Sequence, residues 1–192
     1  MNDSLTIHQL GNGLTVLLKE IHTAPIVSAW VWYGVGSRNE VPGKTGVSHW
    51  VEHMQFKGTQ KRSAQDMDHT IARLGGYWNA FTSPDWTAYF ETLPASALET
   101  ALELEADRMT NSLFDPLEVE TERTVIISER EGSENDPQFL LNEAVQAHAF
   151  KHHPYRNEVI GSKEDLLALT REDLYTHYRQ TYQPANAILC LA

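Results

Sequence analysis

His49, Glu52 and His53 are the residues whose types and spacing point most directly to chemistry. On an α-helix, residues four apart lie one above the other, so His49 and His53 share a face. Glu52, three residues after His49, points toward the same side. Two imidazoles and a carboxylate on one patch can hold a metal ion and set a proton acceptor beside it, which is the equipment of metal-assisted hydrolysis. The bland alternative is a surface helix with two solvated histidines. The flanks suit a helix, with Ser48 as a candidate N-cap and Gly58 as a stop after Phe56 and Lys57.

The order H-x-x-E-H reverses the commoner H-E-x-x-H of zinc proteases. A catalytic zinc takes three protein ligands and keeps a fourth position open, so a third ligand is needed downstream. A helix predicted from Pro116 to about Glu134, with Asp115 as N-cap, carries Glu118, Glu120, Glu122, Glu129, Glu131 and Glu134. Glu122 and Glu129 are two helical turns apart and share a face. Thr124 to Ile127 between them is apolar enough to be expected in the interior, where flanking carboxylates need partners. A metal at one and a histidine N–H at the other would satisfy both, and spacing does not say which takes which. The single cysteine, Cys190, excludes an internal disulfide and a cysteine-based zinc site, and it is expected to be a small buried hydrophobe.

The elements that must position these residues are readable in outline. Leu10 to Leu14 is a tight turn before a strand over Leu14 to Lys19, and Ile26 to Val35 is a second strand rich in Val, Trp and Tyr. Ser63 to Leu74 is predicted helical, with Ser63 as N-cap, and is closed by Gly75 and Gly76. Tyr77 to Phe81 and Thr87 to Leu93 are predicted strands. Further helices are predicted over Ala95 to Ser112, Gln138 to Phe150 and Arg171 to Tyr182, and a last strand over Ala187 to Leu191. Mixed strands and long helices without strict alternation give an α+β class, a largely antiparallel mixed sheet with helices packed on it. One domain over residues 1–192 is expected, with no internal repeat or linker. The chain stops within an apolar strand, which suggests truncation there.

A 41% hydrophobic and 21% charged composition is that of an ordinary globular protein. The net charge of −11 disfavours nucleic acid and anionic membrane surfaces as partners. Residues 1–5 lack the basic and apolar regions of a signal peptide, so the cytosol is the expected compartment.

Five segments, the first of them containing the motif, form a wider pattern. Gly46 to Thr59, Gly75 to Ser83 with Thr87, Glu122 to Glu129, His152 to Tyr155 with Ile160-Gly161, and Pro184 to Ala187 together resemble the inverzincin peptidases related to mitochondrial processing peptidase, pitrilysin and insulin-degrading enzyme. Leu10 to Val16 also looks like the start of that family. The resemblance covers nearly the whole chain. It implies Zn2+ held by His49, His53 and Glu129, with Glu52 as the general base acting on the water that zinc activates. It also implies Glu122 as the carboxylate orienting a ligand histidine, a role with clear physical sense. Tyr77 to Phe81 would be an edge strand to which an extended peptide adds, with Asn79 and Ala80 near the scissile bond. Trp50 and Gln55 depart from the commoner Phe and Leu or Phe, off the ligand positions.

The reading that follows is the N-terminal, zinc-bearing half of a metalloendopeptidase that cuts extended or unstructured peptides. A second homologous domain, in cis or as a partner subunit, is absent from this chain. A non-catalytic scaffold or binding subunit of the same fold is the alternative, disfavoured because every motif position is intact. The remaining histidines, His8, His22, His69, His148, His152, His153 and His177, show no ligand spacing and are expected to be structural or superficial.

Overall fold

The computed structural model describes residues 5–192, and residues 1–4, part of the stretch read as leaderless, lie outside it. The described strands are β1 (Leu5–Gln9), β2 (Thr15–Lys19), β3 (Ile26–Tyr33), β4 (Tyr77–Thr82), β5 (Thr87–Pro94) and β6 (Ala187–Leu191). The described α-helices are α1 (Val47–Met54), α2 (Ala64–Arg73), α3 (Leu98–Asn111), α4 (Pro116–Ser133), α5 (Pro137–Ala149), α6 (Lys163–Ala168) and α7 (Arg171–Thr181). The sheet runs β1-β2-β6-β3-β5-β4, antiparallel throughout except for the parallel pair β2–β6. The expected α+β class with a mixed, largely antiparallel sheet is therefore the observed one.

Period-two alternation explains the sheet's two faces. In β3, Val27, Ala29, Val31 and Tyr33 are buried under the helices. Trp30 and Trp32 point the other way, where Trp30 stacks on Phe90 at 4.2 Å and Trp32 meets Phe81 and Trp86 edge-on at 5.7 and 6.0 Å. The helical side holds two clusters. One joins α1, α4 and α7 to the sheet through Trp50, Val51, Met54, Ile126, Leu174 and Tyr178. The other packs Met67, Ile71, Ala101 and Leu104 against Val27, Ala29 and Leu93. Fully burying a side chain of this size stabilises by about 1.5–3 kcal/mol.

Several boundaries differ from expectation for identifiable reasons. Helix α1 starts at Gly46, not Ser48: Gly46 adopts φ 87°, and a Cβ there would lie 2.5 Å from the Ile160 carbonyl oxygen. The helix ends at Met54, and three successive turn hydrogen bonds carry the chain to Gly58. Thr124 to Ile127 is not a buried run: Ile126 is in the core, while Val125 is exposed, because only one face of α4 meets the protein. Cys190 is half-buried on the Trp30 side of the sheet rather than in the core. The short helix α6 was not expected from the sequence, and Pro184–Asn186 forms a 3-10 turn before β6.

Arg108, 2% exposed on α3, lies between Glu91 and Glu105. Its guanidinium donates to Glu91 at 2.9 Å and also pairs with Glu105. It sits 4.8–5.3 Å from the ring centres of Tyr89, Trp78 and Phe56, so aromatic faces replace part of its lost hydration. Burial pushes the Glu91 carboxyl up to about 7, with Arg108 pulling it back. Removing only the cation strands two buried carboxylates. Arg108→Met is therefore expected to destabilise the fold by about 3–5 kcal/mol, read as a lowered urea midpoint with unchanged slope.

Candidate metal centre

Helix α1 is two turns long and lacks a side-chain cap of its own. Glu40, seven residues before Val47, supplies one: its Oε2 accepts the Gly46 N–H and its Oε1 the Ser48 N–H, both at 2.8 Å. A carboxylate at a helix N-terminus satisfies orphan donors and complements the helix dipole. Ser48 lies in the first turn, where its hydroxyl meets His177 Nε2 at 3.2 Å. His177 is thus a structural residue beneath the helix, and burial pulls its pKa down to about 4.

With α1 so placed, the His49 and His53 rings sit one above the other, 4.6 Å between centroids. Glu129 Oε2 on α4 lies 3.9 Å from His49 Nε2 and 3.7 Å from His53 Nε2. These separations are too long for hydrogen bonds. They suit a shared cation, since ligands at about 2.0–2.2 Å in a tetrahedron stand roughly 3.3–3.6 Å apart. One ligand atom from each of the three residues falls within 4.8 Å of the others, so His49, His53 and Glu129 can hold a metal ion. Burial, reinforced by His53, pulls the His49 imidazole down to about 3, which keeps it neutral with a lone pair to offer. Its Nδ1 is buried without a hydrogen-bond partner among the described residues.

The two candidate carboxylates of α4 divide in the way that spacing left open. Glu122, its side chain 5% exposed, takes the histidine: His53 Nδ1 donates to its Oε2 at 2.9 Å, and Lys57 pairs with its Oε1. Burial opposes the Glu122 charge, but the hydrogen bonds from Lys57 and His53 outweigh it and hold its pKa below the usual value. An ionised acceptor there puts the proton on His53 Nδ1 and leaves Nε2 facing Glu129.

Glu52 is 8% exposed and accepts a hydrogen bond from Thr82 Oγ1 at 2.6 Å. Burial raises its pKa above the ordinary carboxylate value and Glu129 adds to this, while Thr82 and His53 pull it back. His49, Glu52, His53 and Glu129 line one open cleft of about 390 Å3, together with Ala80 and Thr82 of β4. Strand β4 is the last in the sheet, so one of its edges has no strand beside it. Ala80 faces the cleft, whereas Asn79 borders an adjoining hollow with Lys57 and Glu122. The Asn79 side chain accepts the Ala80 N–H at 2.9 Å and donates to Tyr77 OH at 2.9 Å. His49, Glu52, His53, Asn79, Ala80, Glu122 and Glu129 thus lie within this neighbourhood. Glu40 and Lys57 were missed, and Thr82 was noted only as part of a matching segment. No local signal marks Glu40 as a cap, because its partners are reached across a loop.

The profile of the Insulinase family (Peptidase family M16) matches residues 15–163. An uncharacterized zinc protease of Mycobacterium leprae is 35% identical over 183 residues, covering 95% of this chain and 41% of that protein. A probable subunit beta of the mitochondrial-processing peptidase of Arabidopsis thaliana is 31% identical, covering 95% of this chain and 34% of that protein. The crystal structure of a protease from Helicobacter pylori superposes with a TM-score of 0.96 at 34% identity, covering 98% of this chain and 46% of that one. The chain therefore spans less than half the length of each of these relatives. With a family match over most of its length and a near-identical fold, the chain belongs to the insulinase family, peptidase family M16.

Proposed function

We propose that this chain carries the zinc centre of an endopeptidase that hydrolyses peptide bonds in extended or unstructured peptides. The observation that carries the reading is the convergence of His49, His53 and Glu129 beside Glu52, in a cleft bounded by the strand edge of β4. Family membership and relatives named zinc proteases support zinc as the metal. When bound, zinc supplies a Lewis acid that acidifies water and polarises the scissile carbonyl.

The chain's own residues supply the remaining steps. The free edge of β4 offers backbone groups to an extended peptide, which gives affinity with little demand on sequence. The Ala80 N–H becomes available when the Asn79 side chain turns aside. Glu52 takes a proton from the attacking water and returns it to the leaving amine, a task for which burial tunes its basicity upward. Glu122 keeps the Nδ1 proton of His53 in place, so the ligating nitrogen stays fixed. As a ligand, Glu129 would lower the net charge of a zinc-loaded site to about +1, which would still leave a Lewis acid.

The greater length of the relatives supports a second half, in cis or as a partner subunit, that closes the cleft. A closed cleft excludes water and strengthens electrostatic stabilisation of the transition state.

Purified protein is expected to hold one zinc per chain, and His53→Ala combined with Glu129→Gln to hold none, by metal analysis; retained zinc in the double variant would sink the ligand assignment. Glu52→Gln is expected to keep its zinc while hydrolysis of an unstructured peptide, assayed with the second half present, falls by at least about 10²-fold. Full activity in that variant would remove Glu52 as base, and an inactive wild type would favour the scaffold reading. The isolated chain is expected to show far lower kcat/KM than the chain with its second half, and equal values would show a self-sufficient domain.

A further inference from the structure

We infer that Thr82 is a positioning residue for Glu52, tying the orientation of the base to the strand that receives the peptide. The inference rests on the reading of Glu52 as base. Thr82 closes β4, and its hydroxyl has one proton to give. Glu52 Oε2 lies 2.6 Å from Thr82 Oγ1, whereas the other neighbouring oxygen, Thr87 Oγ1, is 3.5 Å away. Thr87 is fully buried on β5 and spends its own proton on the Val35 carbonyl at 3.0 Å. The Thr82 proton is therefore committed to Glu52. Thr82 and Thr87 are register partners across β4 and β5, so the donor is mounted on paired backbone.

The consequence lies in how a carboxylate turns. The terminal torsion of glutamate is broad and two-fold, so packing alone does not fix which oxygen faces the cleft. Thr82 holds Oε2. The other oxygen, Oε1, has no donor among the described residues, although Glu52 itself lines the cleft. A charge-assisted O–H···O bond of this length is among the stronger side-chain contacts, and the β-branched donor has a restricted χ1. Ala80, at the strand edge offered to the peptide, is two residues from Thr82 on the same short strand. A peptide adding to β4 stiffens the backbone that carries the donor, so substrate binding and base orientation are coupled through one hydroxyl.

Thr82→Val keeps the branched shape and removes the donor, Thr82→Ala removes it without adding a methyl, and Thr82→Ser keeps it. In the zinc-loaded protein with its second half, both donor-free variants are expected to lose about 10- to 100-fold in kcat with KM changed less than about threefold, and Thr82→Ser to recover most of the loss. Zinc content and Tm should stay near wild type in all three. In a Glu52→Gln background, Thr82→Val should add no further loss, because the two residues act as one unit. Crystal structures of the zinc-free proteins give a readout independent of turnover: the Glu52 carboxylate should leave its wild-type position in Thr82→Val and keep it in Thr82→Ser. An unmoved carboxylate, unchanged kcat in the donor-free variants, additive losses in the double variant, or zinc lost from Thr82→Val would each overturn the role given to Thr82. Full activity in Glu52→Gln would instead overturn the assignment of the base, so the two failures are told apart.

Discussion

A helix of eight residues cannot hold its own shape, and α1, which carries both histidines and Glu52, is such a helix. Isolated helices shorter than about 12–15 residues are marginal in water. Its order is imposed from outside: Glu40 closes its first turn, α7 backs it through His177 and Leu174, and Glu122 of α4 reaches its last turn through His53. Trp50, Val51 and Met54 on its buried side are at 0% exposure. The candidate metal-binding patch is thus a product of tertiary packing, and its precision is that of the surrounding core.

Charge around that patch is distributed unevenly. Three carboxylates, Glu52, Glu122 and Glu129, surround two imidazoles. Glu122 is paired with the Lys57 cation and accepts a hydrogen bond from His53, and Glu52 is held by a neutral hydroxyl. Among the described residues, Glu129 has no cationic side chain paired with it, and the two imidazole nitrogens near its Oε2 are too far for hydrogen bonds. That charge, unpaired among the described residues, lies where a divalent cation could meet His49, His53 and Glu129 together. The protein thereby accepts like-charge repulsion within the fold that a bound cation would relieve.

The parts of this arrangement legible in the sequence are those governed by short-range rules. Helical spacing placed His49 beside His53 and Glu122 in line with Glu129, and local capping placed the starts of α2 at Ser63 and of α4 at Asp115. What escaped depends on contacts across the fold. Ser48 looked like a cap because local rules favour serine, but the close crossing of Gly46 over Ile160 and Gly161 moved the helix start, and Glu40 took the capping role. Val125 looked internal within an apolar run, yet α4 is wetted on that side. The departures at Trp50 and Gln55 are absorbed by packing: Arg123 lies over the Trp50 ring at 4.7 Å, and Gln55 accepts a hydrogen bond from Ser112. Arg108 could not be read as buried, since nothing local announces that Glu91 faces it from another element.

The position of β6 bears on how the molecule is made. Residues Ala187–Leu191 run between β2 and β3, pairing with both, although β2 ends at Lys19 and β3 begins at Ile26. During synthesis the β1–β2 hairpin and the β3-β5-β4 segment can form early, but they have no direct ladder between them and stay unjoined until β6 has been made. Pairings of such sequence separation slow folding. In the interval the inner edges of β2 and β3 stand open, and exposed strand edges invite pairing with other chains. A nascent chain of this fold is therefore most vulnerable to misassociation in the interval before β6 emerges, when the helix bearing both histidines has already been made and the sheet is still in two parts.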